Sequence, residues 1–82
     1  MKIYDFHGKK NISGEAIRQL RTRKHMSQSD LAARIQTEGV TMERDSISRI
    51  ESGTRFVADY ELMIFAKVLG AEVTELLGWS EE

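Results

Sequence analysis

Residues 26–53 read MSQSDLAARIQTEGVTMERDSISRIESG, and this stretch decides the fold of the chain. It opens on Ser27, a residue type that favours helix N-caps because its hydroxyl accepts from an otherwise unpaired backbone N–H. Asp30 stands three residues later as an acidic analogue of the capping-box partner. Leu31, Ala32 and Ile35 then supply the buried stripe of a short helix. That helix stops before Gly39, and Gln36 to Met42 reads as a loop in which Gly39 can take positive φ. A second short helix is expected from about Arg44 to Ser52. Ile47 and Ile50 are its only apolar residues and share one face, while Arg44, Asp45, Ser48 and Arg49 point elsewhere. Gly53 ends it as a left-handed terminator.

Upstream, Ile12, Ala16, Ile17 and Leu20 fall at helical spacing, which predicts a helix from about Ile12 to Lys24. Asn11 or Ser13 can cap it, with Glu15 in the first turn and Arg21, Arg23, Lys24 and His25 at the far end, matching the helix dipole. Downstream, Thr54 to Ala58 is a connector. Asp59 opens a fourth helix with Leu62, Phe65, Ala66 and Leu69 on one face, and Gly70 closes it. Val73, Leu76 and Leu77 make a last helical turn or two, ended by Gly78. The expected fold is all-α, a compact five-helix domain over residues 12–78. Residues 1–11 precede it as an arm or short strand carrying Ile3, Tyr4 and Phe6, and residues 79–82 follow as a tail.

The chain has 82 residues, enough for one small domain. It contains no Pro to break a helix and no Cys, so disulfides, thiolate metal sites and a cysteine nucleophile are excluded. His7 and His25 are the only histidines and have no nucleophile or carboxylate partner at motif spacing, and there is no glycine-rich phosphate loop. No metal, cofactor or enzymatic activity is expected. No apolar run approaches the roughly 20 residues that span a bilayer, and MKIYDFHGKK lacks the apolar core of a signal peptide, so the expected location is cytoplasmic. The net charge of −1 argues at first against a nucleic-acid partner. The average conceals a gradient. Residues 1–25 hold seven basic against two acidic side chains, residues 26–55 four against five, and residues 56–82 one against six. The positive front is suited to meet an anionic polymer and the negative back to be repelled by it.

Two short helices, the first with a small residue inside and the second with a polar outer face, suggest a helix-turn-helix, whose second helix lies in the major groove. MSQSDLAARI, GVTMERDSISRIESG and ELMIFAKVLGAEVTELLG together resemble the phage-repressor and Cro (XRE-like) type of helix-turn-helix domain. The most specific elements are Ser27-Gln28 with Leu31-Ala32, Ile47-Ser48 with Ile50-Glu51 and Gly53, and Ala66-Lys67 with Leu69-Gly70. The resemblance implies a DNA-binding transcriptional regulator, a repressor acting by operator occupancy, with double-stranded DNA as partner. It assigns base contact to Arg44, Asp45, Ser48 and Arg49, with Ser46 flanking, and phosphate contact to Ser27, Gln28, Thr54 and Arg55. Gln28 also braces the recognition helix, and Arg21 and Glu51 match a buried structural ion pair.

Arginine suits these roles because its fork matches guanine O6 and N7, and Asp45 can accept from cytosine N4. Asp45 equally suits the positive end of a helix, and Arg44 and Arg49 equally form a solvated face. Two departures from the family pattern stand out. The Gln36–Glu43 segment exceeds the usual tight turn, which leaves open the residue that first enters the groove, and His25 stands where the family often has glycine. Proteins of this type commonly bind as homodimers on two-fold half-sites; Ile64, Val68, Val57, Val73 and Trp79 are candidate contacts or simply extend the core, and Ile3, Tyr4 and Phe6 are a second candidate set. The competing function is a protein-interaction module on the same fold, as in an antitoxin or coactivator.

Overall fold

The computed structural model describes residues 5–79, in which five helices follow one another: α1 (Gly14–Arg23), α2 (Gln28–Thr37), α3 (Arg44–Ser52), α4 (Asp59–Leu69) and α5 (Val73–Leu77). Ile3, Tyr4 and residues 80–82, named above as arm and tail, lie outside the described residues. Among the described residues no helix is long and apolar enough to cross a membrane.

One core holds the helices together. Ile17 of α1, Leu31, Ala32 and Ile35 of α2, Ile47 and Ile50 of α3, Phe65, Ala66 and Leu69 of α4 and Leu76 of α5 form a single buried cluster. Burial of each large apolar side chain contributes about 1.5–3 kcal/mol. The α2–α3 connection joins this cluster through Met42, which is 2% exposed. Gln36 Nε2 donates to the Met42 carbonyl, so the long turn is anchored from inside and from the last turn of α2. An apolar anchor in mid-loop lets the connection be longer than a tight turn without loosening the angle between α2 and α3.

The helix ends follow local chemistry. Ser27 Oγ accepts from the Asp30 N–H at 3.0 Å, and the Asp30 carboxylate accepts from the Ser27 N–H at 2.9 Å. These bonds hold the Asp30 carboxyl below its ordinary pKa. Gly53 and Gly70 close α3 and α4 with φ of 83° and 67°. His25 adopts the same left-handed region, φ 57°, while its N–H bonds Thr22 and that of Met26 bonds Arg21. The glycine conformation is thus kept by a residue for which it costs about 1–2 kcal/mol.

α1 begins at Gly14, two residues later than the spacing of Ile12 predicts, and Ile12 is exposed. Asn11 explains the shift. Its Oδ1 accepts from the Gly14 N–H at 2.8 Å, whereas Ser13 makes no side-chain cap. Its Nδ2 donates to the carbonyls of Ile50 (3.0 Å) and Arg55 (2.8 Å), which clamps the start of α1 onto the end of α3. The clamp needs close approach, for a Cβ on Gly14 would collide with the Ile50 carbonyl oxygen.

Residues 5–11 form a tight turn. Phe6 and Lys9 exchange both backbone hydrogen bonds, at 2.7 and 3.0 Å, around His7 and Gly8 at φ 52° and 80°. Two successive left-handed residues are what a two-residue hairpin turn demands. The Lys10 N–H then bonds the Gly53 carbonyl at 2.8 Å, docking the segment on the end of α3.

The candidate apolar dimer face needs correction. Ile64, Val68, Val57 and Val73 pack against the core. α4 meets α1, α2 and α5, so a wider stripe than the Leu62–Phe65–Leu69 line is covered. Tyr60, Met63, Leu77 and Trp79 are the exposed large side chains of this region, and Phe6, Ile12 and Phe56 those near the N-terminal turn.

Candidate nucleic-acid interface

α3 turns Ile47 and Ile50 fully into the core and leaves Arg44, Asp45 and Arg49 exposed, with Ser46 and Ser48 half-buried. The five residues proposed from sequence to meet base edges or flank them therefore stand off the buried face. Arg49 Nη2 pairs with Asp45 Oδ2 at 2.9 Å, one turn apart, with both side chains about two-thirds exposed. Exposed helical pairs of this spacing contribute only about 0.3–0.5 kcal/mol. The pair therefore biases Arg49's direction without locking it.

Behind this face runs a chain of hydrogen bonds linking three helices. Arg44 Nη1 donates to Gln28 Oε1 at 3.1 Å, and Gln28 Nε2 donates to Glu51 Oε1 at 3.0 Å. Glu51 receives the Arg21 fork, Nε at 2.6 Å and Nη2 at 3.1 Å, and Arg21 Nη1 donates to the Met26 carbonyl at 2.7 Å. The Glu51 side chain is 4% exposed, so its charge is desolvated and answered by Arg21. The bond from Arg21 to Glu51 raises the arginine pKa against the opposing effect of burial, and the charge of Glu51 adds to the rise. The network fixes α1, α2 and α3 relative to one another. It also commits the Gln28 amide on both sides, so this residue braces α3 through Arg44 as well as standing at the start of α2.

The phosphate candidates have different surroundings. The Ser27 hydroxyl is committed to the α2 cap but remains exposed. Thr54 is exposed, with Oγ1 3.1 Å from Ser52 Oγ and 3.3 Å from the Arg49 carbonyl, and its N–H closes α3 on that carbonyl. Arg55 is not a free cation. Its two terminal nitrogens meet both oxygens of Glu61 at 3.0 and 3.1 Å, and Nη1 also donates to the Phe56 carbonyl. Sequence reasoning missed Glu61 because its partner lies six residues away across an irregular connector. The only local signal was its place in the first turn of α4, where it accepts from the Ala58 N–H at 3.0 Å.

Burial pushes the Glu61 carboxyl up, but the hydrogen bonds from Arg55 and Ala58 and the charge of Arg55 outweigh it, and the pKa falls below the ordinary value. A carboxyl depressed in the folded state contributes stability that is present above its unfolded pKa and is lost as pH falls through the folded one. Acid should therefore weaken the wild-type domain below about pH 4, the ordinary carboxylate range. Glu61→Gln should be less stable at neutral pH and lose less on acidification. Urea midpoints measured across that range check this; equal acid sensitivity of the two proteins would remove Glu61 from the acid response.

Among the described residues no group of three His, Asp or Glu side chains is placed to hold a metal ion. The chemistry on offer is recognition: a polar helix with two arginines, braced from behind and flanked by hydroxyl and backbone donors.

Comparison with known proteins gives this surface a context. A helix-turn-helix domain family matches residues 14–80. Among solved structures, the chain is similar to the restriction-modification controller protein C.AhdI from Aeromonas hydrophila. The identity is 31% and the TM-score 0.68, over 78% of this chain and 86% of that one. No curated protein matches significantly.

Proposed function

This chain belongs to the helix-turn-helix domain family and is a DNA-binding transcription regulator; we propose that it is a cytoplasmic repressor that acts by occupying an operator with α3 in the major groove. The observation that carries the reading is the outward polar face of α3, backed by the Arg44–Gln28–Glu51–Arg21 chain of bonds. A helix that is polar and only nine residues long gains little from its own propensity, and such a brace is suited to aiming it.

Arg44 and Arg49 are the base readers. They lie about one and a half turns apart and so address different base pairs. Asp45 accepts from a cytosine amine or steers Arg49, and Ser48 offers its hydroxyl between them. Ser27, Thr54 and the second N–H of the Gln28 amide, the one not given to Glu51, hold phosphates. Arg55 contributes chiefly by fixing the connector through Glu61, and reaches a phosphate only when that pair loosens. The regulator works as a homodimer on two-fold half-sites, with Tyr60 and Met63, three apart on α4, as the apolar contact. Likeness to a restriction-modification controller favours genes of such a system as the target.

A promoter carrying a DNA site selected with this protein tests repression. Transcription in vitro should fall several-fold as the regulator is titrated. Unchanged or rising transcription would contradict occupancy as the mechanism.

A further inference from the structure

We propose that the N-terminal turn is a second backbone-gripping element, in which Lys9 and Lys10 hold the DNA phosphates beside the C-terminal end of α3. The inference rests on the reading of α3 as the groove helix. Three features place the lysines there. The Lys10 N–H bonds the Gly53 carbonyl, and Asn11 clamps the following backbone to Ile50 and Arg55. The Lys9 stem lies across the end of α3, since a Cβ on Gly53 would come within 2.8 Å of Lys9 Cδ. The Lys10 ammonium sits 5.2 Å from the Phe56 ring centroid. Neither ammonium has a hydrogen bond or ion pair with any described residue.

The dimensions point to DNA as the occupant. Nine residues at about 1.5 Å each give α3 a length of about 13 Å, close to the roughly 12 Å width of the major groove. A groove helix that reads base edges from its first residues has its C-terminal end nearer the phosphate backbone. At the first end, Arg44 meets Gln28 at the start of α2. At the other stand Thr54, Lys9 and Lys10. Lysine is a strongly hydrated point charge without the planar fork that reads bases, which fits contacts that position the protein and carry no sequence information. The backbone of the turn is held by the Phe6–Lys9 pair and the Lys10–Gly53 bond, so binding has mainly the two lysine side chains to order.

The test uses the full chain with a selected site and an unrelated duplex of the same length, and follows binding by fluorescence anisotropy over a range of salt. Lys9→Met with Lys10→Met keeps the stem over Gly53 and removes both charges, and Lys9→Arg with Lys10→Arg restores them. The methionine variant should weaken binding to both duplexes by the same factor. Its log K against log salt slope should fall by about 1.8, at about 0.9 per lost phosphate contact. The arginine variant should recover the slope. An unchanged slope in the methionine variant, or a loss confined to the selected site, would overturn the assignment while leaving α3 as the groove helix. A wild-type chain that binds neither duplex would overturn both, and affinity for an acidic peptide in place of DNA would identify a protein partner instead.

Discussion

Glu51→Ala is expected to cost the fold about 3–5 kcal/mol, the usual penalty for removing one partner of a buried ion pair. The Glu51 carboxylate takes Arg21 Nε and Nη2 and Gln28 Nε2 on its two oxygens. Without it the Arg21 guanidinium, 11% exposed, keeps only the Met26 carbonyl, and its charge stays buried without an anion. Gln28 loses its acceptor and is free to rotate away from Arg44. Domains of this size have about 5–15 kcal/mol in total, so a large share of their stability is at stake. Most of the loss is the penalty of the orphaned charge, so removing Arg21 as well, in Arg21→Met with Glu51→Leu, should recover much of it. Urea unfolding of the wild type, the single variant and the double variant checks both statements. A single-variant loss below about 1 kcal/mol would place the pair with ordinary surface bridges.

The starts of α2 to α5 and the ends of α3 to α5 were legible because they are set locally, whereas α2 runs on to Thr37, two residues into the loop expected from Gln36. Ser27 with Asp30, and the glycines at 53, 70 and 78, act within a turn of where they stand, and the predicted limits match α3 and α4 residue for residue. The beginning of α1 was not legible, because Asn11 takes its instructions from carbonyls 39 and 44 residues away. For the same reason Gly14 looks like any glycine in sequence, and its role exists only once α3 lies against it.

The candidate site divides in the same manner. The outward face of Arg44, Asp45 and Arg49 was legible from helical periodicity, since Ile47 and Ile50 dictate which face is buried, while their role at bases came from the family resemblance. The surroundings of Arg55 required knowing where Glu61 falls in space. For Ile64 and Val68 the choice between contact surface and core edge was not legible, because periodicity gives the centre of a buried stripe but not its width, which depends on how many neighbours surround the helix.

Loss of base discrimination is the other large effect expected. Each well-placed bidentate arginine is worth about 1–3 kcal/mol against a wrong base pair, so removing two should cost about 2–6 kcal/mol of specificity. At 1.4 kcal/mol per tenfold, the preference for a selected site should fall by a factor of about 30 to about 10⁴. Arg44→Ala also releases Gln28, but Glu51 and Arg21 remain paired, so the fold should survive. Ile47 and Ile50 are untouched, and circular dichroism should show unchanged helix content.

The decisive measurement is the ratio of affinities for a selected site and for random duplex, taken at one salt concentration on the wild type and on Arg44→Ala with Arg49→Ala. The wild type should prefer its site by at least about 10³, and the double variant should keep most of its random-duplex affinity while losing most of that preference. A wild type with no preference, or a double variant that retains it, would contradict sequence reading by α3.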